Sequence, residues 1–283
     1  MAILHRTVIP FLLLSALTSR SAAQGLFHAH ADAIAVHDYR WRGIKRASGW
    51  NAQLEATARV GGANTGLALG AWTNFELGTH RDGALTDLRA GHWGLSETSF
   101  WGELAHSFGG GDVAAGFVWY EYRGRAGELG TGEIYGRLRG SGRNKASIAP
   151  EVSLWYDVAE RKSGYLEAGA TAPVLALPFR GIGVLAYISG TAGVALGEPE
   201  RRPELAATTF DRKGFTSADF SAGFRVNGEK SSGGIILHAA WHVQFAEDSA
   251  TRRKRLNPAE YHSKVRTFIT LGIGIRWPAP KDR

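Results

Sequence analysis

The sequence predicts an all-β fold: a transmembrane antiparallel β-barrel of about twelve strands in an up-and-down meander. Three observations predict it. Apolar and polar residues alternate with period two through segments on the order of 11 residues long, the length a tilted strand needs to cross a bilayer core. An export leader opens the chain, and no later apolar run is long enough for a spanning helix. On the apolar faces, large aromatic residues gather toward strand ends.

The leader is MAILHRTVIPFLLLSALTSRSAAQ. His5 and Arg6 precede an apolar run to Leu17, and Ser21 and Ala23 occupy the −3 and −1 positions for cleavage before Gln24. Residues 1–23 therefore read as a signal peptide and 24–283 as a single barrel domain. Cleavage removes Arg6 and Arg20, so Lys+Arg falls from 33 to 31 against 26 acids and the net charge from +7 to +5. The chain has no Cys, which excludes a disulfide framework and Cys-based zinc sites. An exported chain without a spanning helix crosses a membrane as a closed barrel or not at all.

Taken in order, the strands are expected at 31–42, 50–60, 65–77, 97–108, 113–123, 132–139, 148–157, 164–172, 182–196, 216–226, 235–245 and 264–277. In 31–42, Ala31, Ala33, Ala35, Tyr39 and Trp41 alternate with Asp32, Asp38, Arg40 and Arg42. WNAQLEATARV at 50–60 is strict: Trp50, Ala52, Leu54, Ala56, Ala58 and Val60 on one face, Asn51, Gln53, Glu55, Thr57 and Arg59 on the other. VAAGFVWYEYR at 113–123 is apolar on both faces and leaves its register open. The last strand sets Val265, Ile269, Leu271, Ile273, Ile275 and Trp277 against Lys264, Arg266, Thr270 and Arg276. The three longest connections, 78–96, 197–215 and 246–263, are all odd-numbered, whereas the Gly-rich turns GGAN and GGGD are even-numbered. This is the short-turn, long-loop asymmetry of outer-membrane barrels, with both termini periplasmic.

A soluble sandwich would also alternate, with its apolar face inward. Strand length and aromatic placement favour the opposite orientation. Trp41, Trp50, Phe75, Tyr156 and Phe245 form the expected outer girdle, and Phe108, Phe224 and Trp277 the periplasmic one, with Trp241 a mid-strand exception. The last strand, TLGIGIRW, places Thr270, Gly272, Ile275 and Trp277 at the spacing polar-x-Gly-x-x-hydrophobic-x-aromatic. This resembles the C-terminal signal read by barrel-assembly machinery, although PAPKDR follows the aromatic.

The stretch HDYRWRGIKRASGWNAQLEA resembles the D-Y-R-F-R-G-I-S start of the TorF-type porin family of outer-membrane barrels. Further resemblance runs through AGFVWYEY at 115–122, TGEIYGRL at 131–138 and EVSLWYDVAERKSGYLEAGA at 151–170, in order over the N-terminal two-thirds. Trp41 stands in place of the family's Phe, and the outer loops are rather long. The resemblance implies a porin-like barrel and supplies no substrate.

Charged residues costly in lipid must turn inward. The expected lumen residues on the solute path are Arg40, Arg42, Glu55, Arg59, Glu103, Arg137, Arg139, Asp157, Arg225, His242 and Arg266. Two readings are open: cross-strand pairs that brace or plug the barrel, or a channel field in which arginines attract anions. Twelve strands lie between side-chain-filled barrels of roughly eight and aqueous channels of 16–18. Arg40 and Arg42 are placed to grip a carboxylate or phosphate, or to pair with an acid such as Glu55.

No cofactor, metal or enzymatic activity is expected. His28, His30 and Asp32 lie near the new N-terminus, and His238 and His242 are ~13 Å apart along a strand. No Ser/His motif of an outer-membrane hydrolase stands out. RRKR at 252–255 suits phosphorylated outer-leaflet lipid, and an exported barrel argues against nucleic acid. The expected partners are outer-membrane lipid and lipopolysaccharide, barrel-assembly machinery and small solutes, in the outer membrane of a Gram-negative-type bacterium. The functional expectation is passive diffusion of small polar or anionic solutes; the alternative is a closed structural or surface-binding barrel.

Overall fold

A computed structural model describes residues 27–42, 44–45, 49–62, 64–77, 94–122, 130–141, 148–159, 163–179, 182–196, 214–228, 234–246 and 265–277. The leader, the RRKR stretch and the loops at 78–93, 197–213 and 247–264 lie outside them. The strands are β1 (Phe27–His37), β2 (Arg40–Trp41), β3 (Ile44–Lys45), β4 (Trp50–Gly61), β5 (Thr65–Glu76), β6 (Gly94–Phe108), β7 (Gly111–Tyr122), β8 (Thr131–Gly140), β9 (Ala149–Asp157), β10 (Gly164–Phe179), β11 (Ile182–Ala195), β12 (Gly214–Gly228), β13 (Gly234–Ala246) and β14 (Val265–Trp277).

Twelve of these strands close a barrel in the order β1-β14-β13-β12-β11-β10-β9-β8-β7-β6-β5-β4, and β2 and β3 form a separate hairpin. Every barrel pair is antiparallel. The seam closes on β1, which pairs with β14 from Ala29↔Trp277 to Val36↔Thr270 and with β4 from Phe27↔Val60 to His37↔Trp50. Closure leaves no edge with unpaired backbone groups, which a lipid core requires. At the GGAN turn, a Cβ on Gly61 would run into the backbone of Thr65 and Gly66, so glycine is needed for the reversal.

Burial is inverted relative to a soluble domain. Leu54, Leu69, Leu104 and Ile275 are 45–59% exposed on the outer face, while Asn51, Asn74, Glu76, Glu97, Glu133 and Asp157 are almost completely buried inside. Such a surface is stable where lipid covers it and far exceeds the apolar patch a soluble monomer exposes. The apolar face of WNAQLEATARV is therefore the outside of the protein. In β7 the register left open by the sequence is settled: Val113, Phe117 and Trp119 face out, and Ala114, Val118, Tyr120 and Tyr122 are buried inward.

Among the expected girdle residues, Trp50, Tyr156 and Phe245 are exposed near the outer ends of their strands, and Phe108, Phe224 and Trp277 near the other ends. Phe75 is half-buried at the end of β5, where the register with β6 shifts. The band between is not purely aliphatic: Phe100, Phe117, Phe220 and Trp241 are exposed in mid-strand.

Two strands depart furthest from the expected boundaries. The first begins earlier and ends at His37, not Arg42. Asp38 takes φ 62°, its carboxylate accepts the Gly49 N–H at 2.9 Å, and its own N–H donates to Gly49 O at 2.8 Å. This closure turns the chain out of the strand. Trp41 consequently lies in β2 rather than in a barrel strand, and its side chain is outside the described residues. Tyr39, expected on the lipid face, is buried inside. The other departure is β10, which continues past 172 to Phe179 through Pro173 and Pro178, with a register shift between Pro173 and Leu175. Proline removes a ladder donor, so the sequence there reads as a strand end, and the bulge absorbs the loss.

Candidate functional site: the barrel lumen

The alternation that turns apolar side chains outward brings the polar ones together inside, and the segment after β1 adds two more. Arg42 (φ 49°) reaches across the lumen to β8 and holds Glu133 with both guanidinium nitrogens, at 2.6 and 3.0 Å. Tyr120 donates to the same carboxylate at 3.1 Å. The guanidinium lies over Trp155 and Tyr165, 4.9 and 4.4 Å from the ring centroids. Burial acts to lower the Arg42 pKa, but the Glu133 carboxylate and the Tyr120 and Tyr165 hydroxyls outweigh it, and the net shift is upward. Tyr39 packs on Trp72 and donates to Glu97 at 3.3 Å. Segment 38–42 is thus fastened inside the outer half of the barrel.

Apart from His242, the other expected lumen residues fall into three groups. The first group is paired. Glu103 accepts from Arg137 at 2.8 Å and from Tyr135 at 2.9 Å, Arg139 binds Glu151 at 2.6–2.7 Å, and Asp157 accepts from Thr131 at 2.6 Å. Glu55 accepts a 3.3 Å bond from Thr57, and the acid that meets Arg42 is Glu133, not Glu55.

The second group sits toward the short-turn end: Arg59, Arg225 and Arg276, on the lumen faces of β4, β12 and β14, are exposed and have no ion pair among the described residues. The third comprises Arg266, half-buried and engaged at the outer end of β14, and Arg40, whose backbone is in β2 and whose side chain is outside the described residues.

Sequence reasoning missed the histidine–aspartate pairs. His238 Nε2 lies 3.1–3.2 Å from both Asp32 oxygens. Between β13 and β1 runs β14, and the pair meets over Gly272, where a Cβ would strike the His238 ring. His242 Nδ1 is 3.0 Å from Asp219 Oδ1, its Nε2 is 3.3 Å from Thr270 Oγ1, and its ring stacks on Phe268 at 4.5 Å.

The Asp219–His242–Thr270 line has the order of an acid, base and hydroxyl. Among the described residues, no backbone donor beside it is placed for the oxyanion of an acyl transfer. Thr270 is mid-strand, paired with Val36 on one side and Ala240 on the other, so the neighbouring backbone N–H groups are spent in the ladders and supply no oxyanion hole. Among the described residues no group of three or more His, Asp or Glu is arranged to hold a metal ion. Of the terminal motif, Thr270 and Gly272 face the lumen, and Ile275 and Trp277 face outward.

A cavity of about 340 Å³ runs along the lumen faces of β8–β11, lined by Arg139, Glu151, Glu167, Thr171, Ser189 and Thr191 among others.

No family model matches the chain, and no curated protein does. Solved structures do match. LpxR from Salmonella typhimurium is similar with a TM-score of 0.50 at 8% identity, covering 87% of this chain and 99% of that one. The translocator domain of autotransporter NalP from Neisseria meningitidis gives 0.48 at 10% identity, over 94% and 92%. The NanC porin gives 0.43 at 7% identity, over 87% and 98%. The likeness to LpxR shows the fold alone, a closed twelve-strand barrel of outer-membrane type.

Proposed function

We propose that the chain is a narrow porin-like channel through which small polar solutes diffuse passively, without cofactor or covalent step, constricted on its outer side by the inward-folded segment 38–42. The observation that carries this reading is the polar interior itself. Charged and hydroxyl side chains line the lumen around its circumference and leave a cavity of about 340 Å³ on the short-turn side of Arg42. Simple anion selection is weaker than the sequence suggested, because Arg42, Arg137 and Arg139 are neutralised by Glu133, Glu103 and Glu151. Attraction of anions would fall to Arg59, Arg225 and Arg276 near the periplasmic mouth.

Single-channel recording in planar bilayers tests the reading. Refolded protein is expected to conduct weakly, and Glu133→Gln, which releases Arg42, to conduct more. One observation favours a second reading, the closed surface-binding barrel: the buried Arg42–Glu133 and Tyr39–Glu97 contacts lie inside the outer lumen. Absence of current from both proteins would establish that reading and remove the channel.

A further inference from the structure

The cavity along β8–β11 has a charge balance of its own. Arg139 and Glu151 in its wall cancel each other at 2.6 Å. Glu167, also in the wall, has no hydrogen-bond or ion-pair partner among the described residues. The charges facing it are Arg42, Glu151 and Asp219. Arg42 is committed to Glu133 through both nitrogens, and Asp219 is turned to His242. The lining therefore carries one uncommitted negative charge. Thr171 and Thr191 also line the space, and their hydroxyls make no bond to a described residue. Among the described residues, Ser189 bonds only Ser221, at 2.6 Å.

Each feature narrows the ligand. A lone carboxylate in a partly dehydrated cavity favours a cation that brings its own hydrogen-bond donors. Hydroxyls with free donor and acceptor capacity suit a hydroxylated solute. An amino acid would need a cation for its carboxylate, and Arg139 is taken by Glu151. A polyamine would need several free carboxylates, and among the described lining residues there is one. The volume, about 340 Å³, falls at the lower end of the ~300–1,000 Å³ range of small-molecule sites.

We propose that this cavity is a solute-binding site for a small hydroxylated cation of the amino-sugar class, with Glu167 as its counter-ion and Thr171 and Thr191 as hydroxyl partners. The proposal rests on the channel reading for its biological sense, since the site lies on the solute path. Binding itself is measurable without conduction.

Titration calorimetry on the purified barrel in detergent, with D-glucosamine, D-glucose and D-glucuronate as probes, tests it. Glucosamine is expected to bind saturably, glucose about tenfold more weakly or less, and glucuronate not at all, in keeping with the strength of a charge-assisted hydrogen bond. Glu167→Gln should bring glucosamine down to the glucose level, with heat-modifiable migration on gels unchanged. Thr191→Val should weaken glucosamine and glucose alike, which keeps the proposal testable if Glu167→Gln fails to fold. Glucosamine binding no better than glucose, or equal glucosamine binding by Glu167→Gln, would overturn it. Planar-bilayer recording on the same preparation separates the two readings. Binding without current refutes the channel and leaves the site standing; current without glucosamine binding refutes the site and leaves the channel.

Discussion

Glu133→Gln tests how segment 38–42 is held in the lumen. The Arg42 and Glu133 side chains are 8% and 5% exposed, so solvent screens the pair little. The substitution keeps the shape of the side chain and removes its charge. Arg42 is left as a buried cation over the faces of Trp155 and Tyr165, without its carboxylate partner. Removing one partner of a buried ion pair costs about 3–5 kcal/mol, because the survivor is uncompensated. At ~1.4 kcal/mol per decade, the undocked population of the segment should rise by roughly 2 to 3.5 decades. Trypsin reads this population. The stretch after Asp38 contains Arg40, Arg42, Lys45 and Arg46, and the substitution removes none of these sites. When reclosing outpaces cleavage, the rate of nicking follows the open fraction. Nicking within 40–46, assigned by mass of the fragments, should accelerate by that factor while heat-modifiable migration of the uncut barrel is unchanged. An equal nicking rate in wild type and variant would refute the conclusion that Arg42 and Glu133 fasten the segment.

Other predictions address the lipid face, the seam and the mouth. Leu271→Arg places a cation on the outer face in the middle of β14 and should cost about 2–4 kcal/mol in denaturant refolding into vesicles, whereas the lumen-facing change Thr270→Arg should cost less. Gly272→Ala drives a Cβ into the His238 ring, displaces it from Asp32, and should cost about 1–3 kcal/mol by the same assay. Gly136→Ala, whose Cβ would meet nothing within 4 Å, should be nearly silent. Replacing Arg59, Arg225 and Arg276 together by Ala should move the reversal potential in a salt gradient toward cations; an unchanged potential would take the three out of the solute path.

Much of the fold was legible because a barrel strand states its own orientation. WNAQLEATARV carries period-two alternation from end to end, and β4 follows it from Trp50 to Gly61 with Leu54 outside and Glu55 inside. What was not legible depends on partners far away in sequence. DYRWR continues the alternation of β1 without a break, so periodicity extends the strand through Arg42. The turn at Asp38 is set by Gly49, and the inward path by Glu133 and Glu97 on strands that sequence alone does not place opposite. The Asp32–His238 pair is 206 residues apart and exists only because closure sets β14 between β1 and β13. A signal was present: Gly272 faces the lumen opposite His238, and a bare backbone beside a large ring marks where that ring lies.

This last point changes how the terminal motif is to be read. TLGIGIRW resembles an assembly signal through Thr270, Gly272, Ile275 and Trp277, yet the four residues divide between two faces. Ile275 and Trp277 look outward, on the lipid-facing side of the strand. Thr270 and Gly272 look inward, where Thr270 meets His242 and Gly272 makes room for His238. A defect from Gly272→Ala therefore has two sources, lost recognition during assembly or a crowded seam. His238→Ala separates them. It removes the ring that the new Cβ strikes, so a packing defect should be relieved in the double variant, while a recognition defect should persist unchanged. The inward half of the motif is accounted for by the lumen if relief is seen.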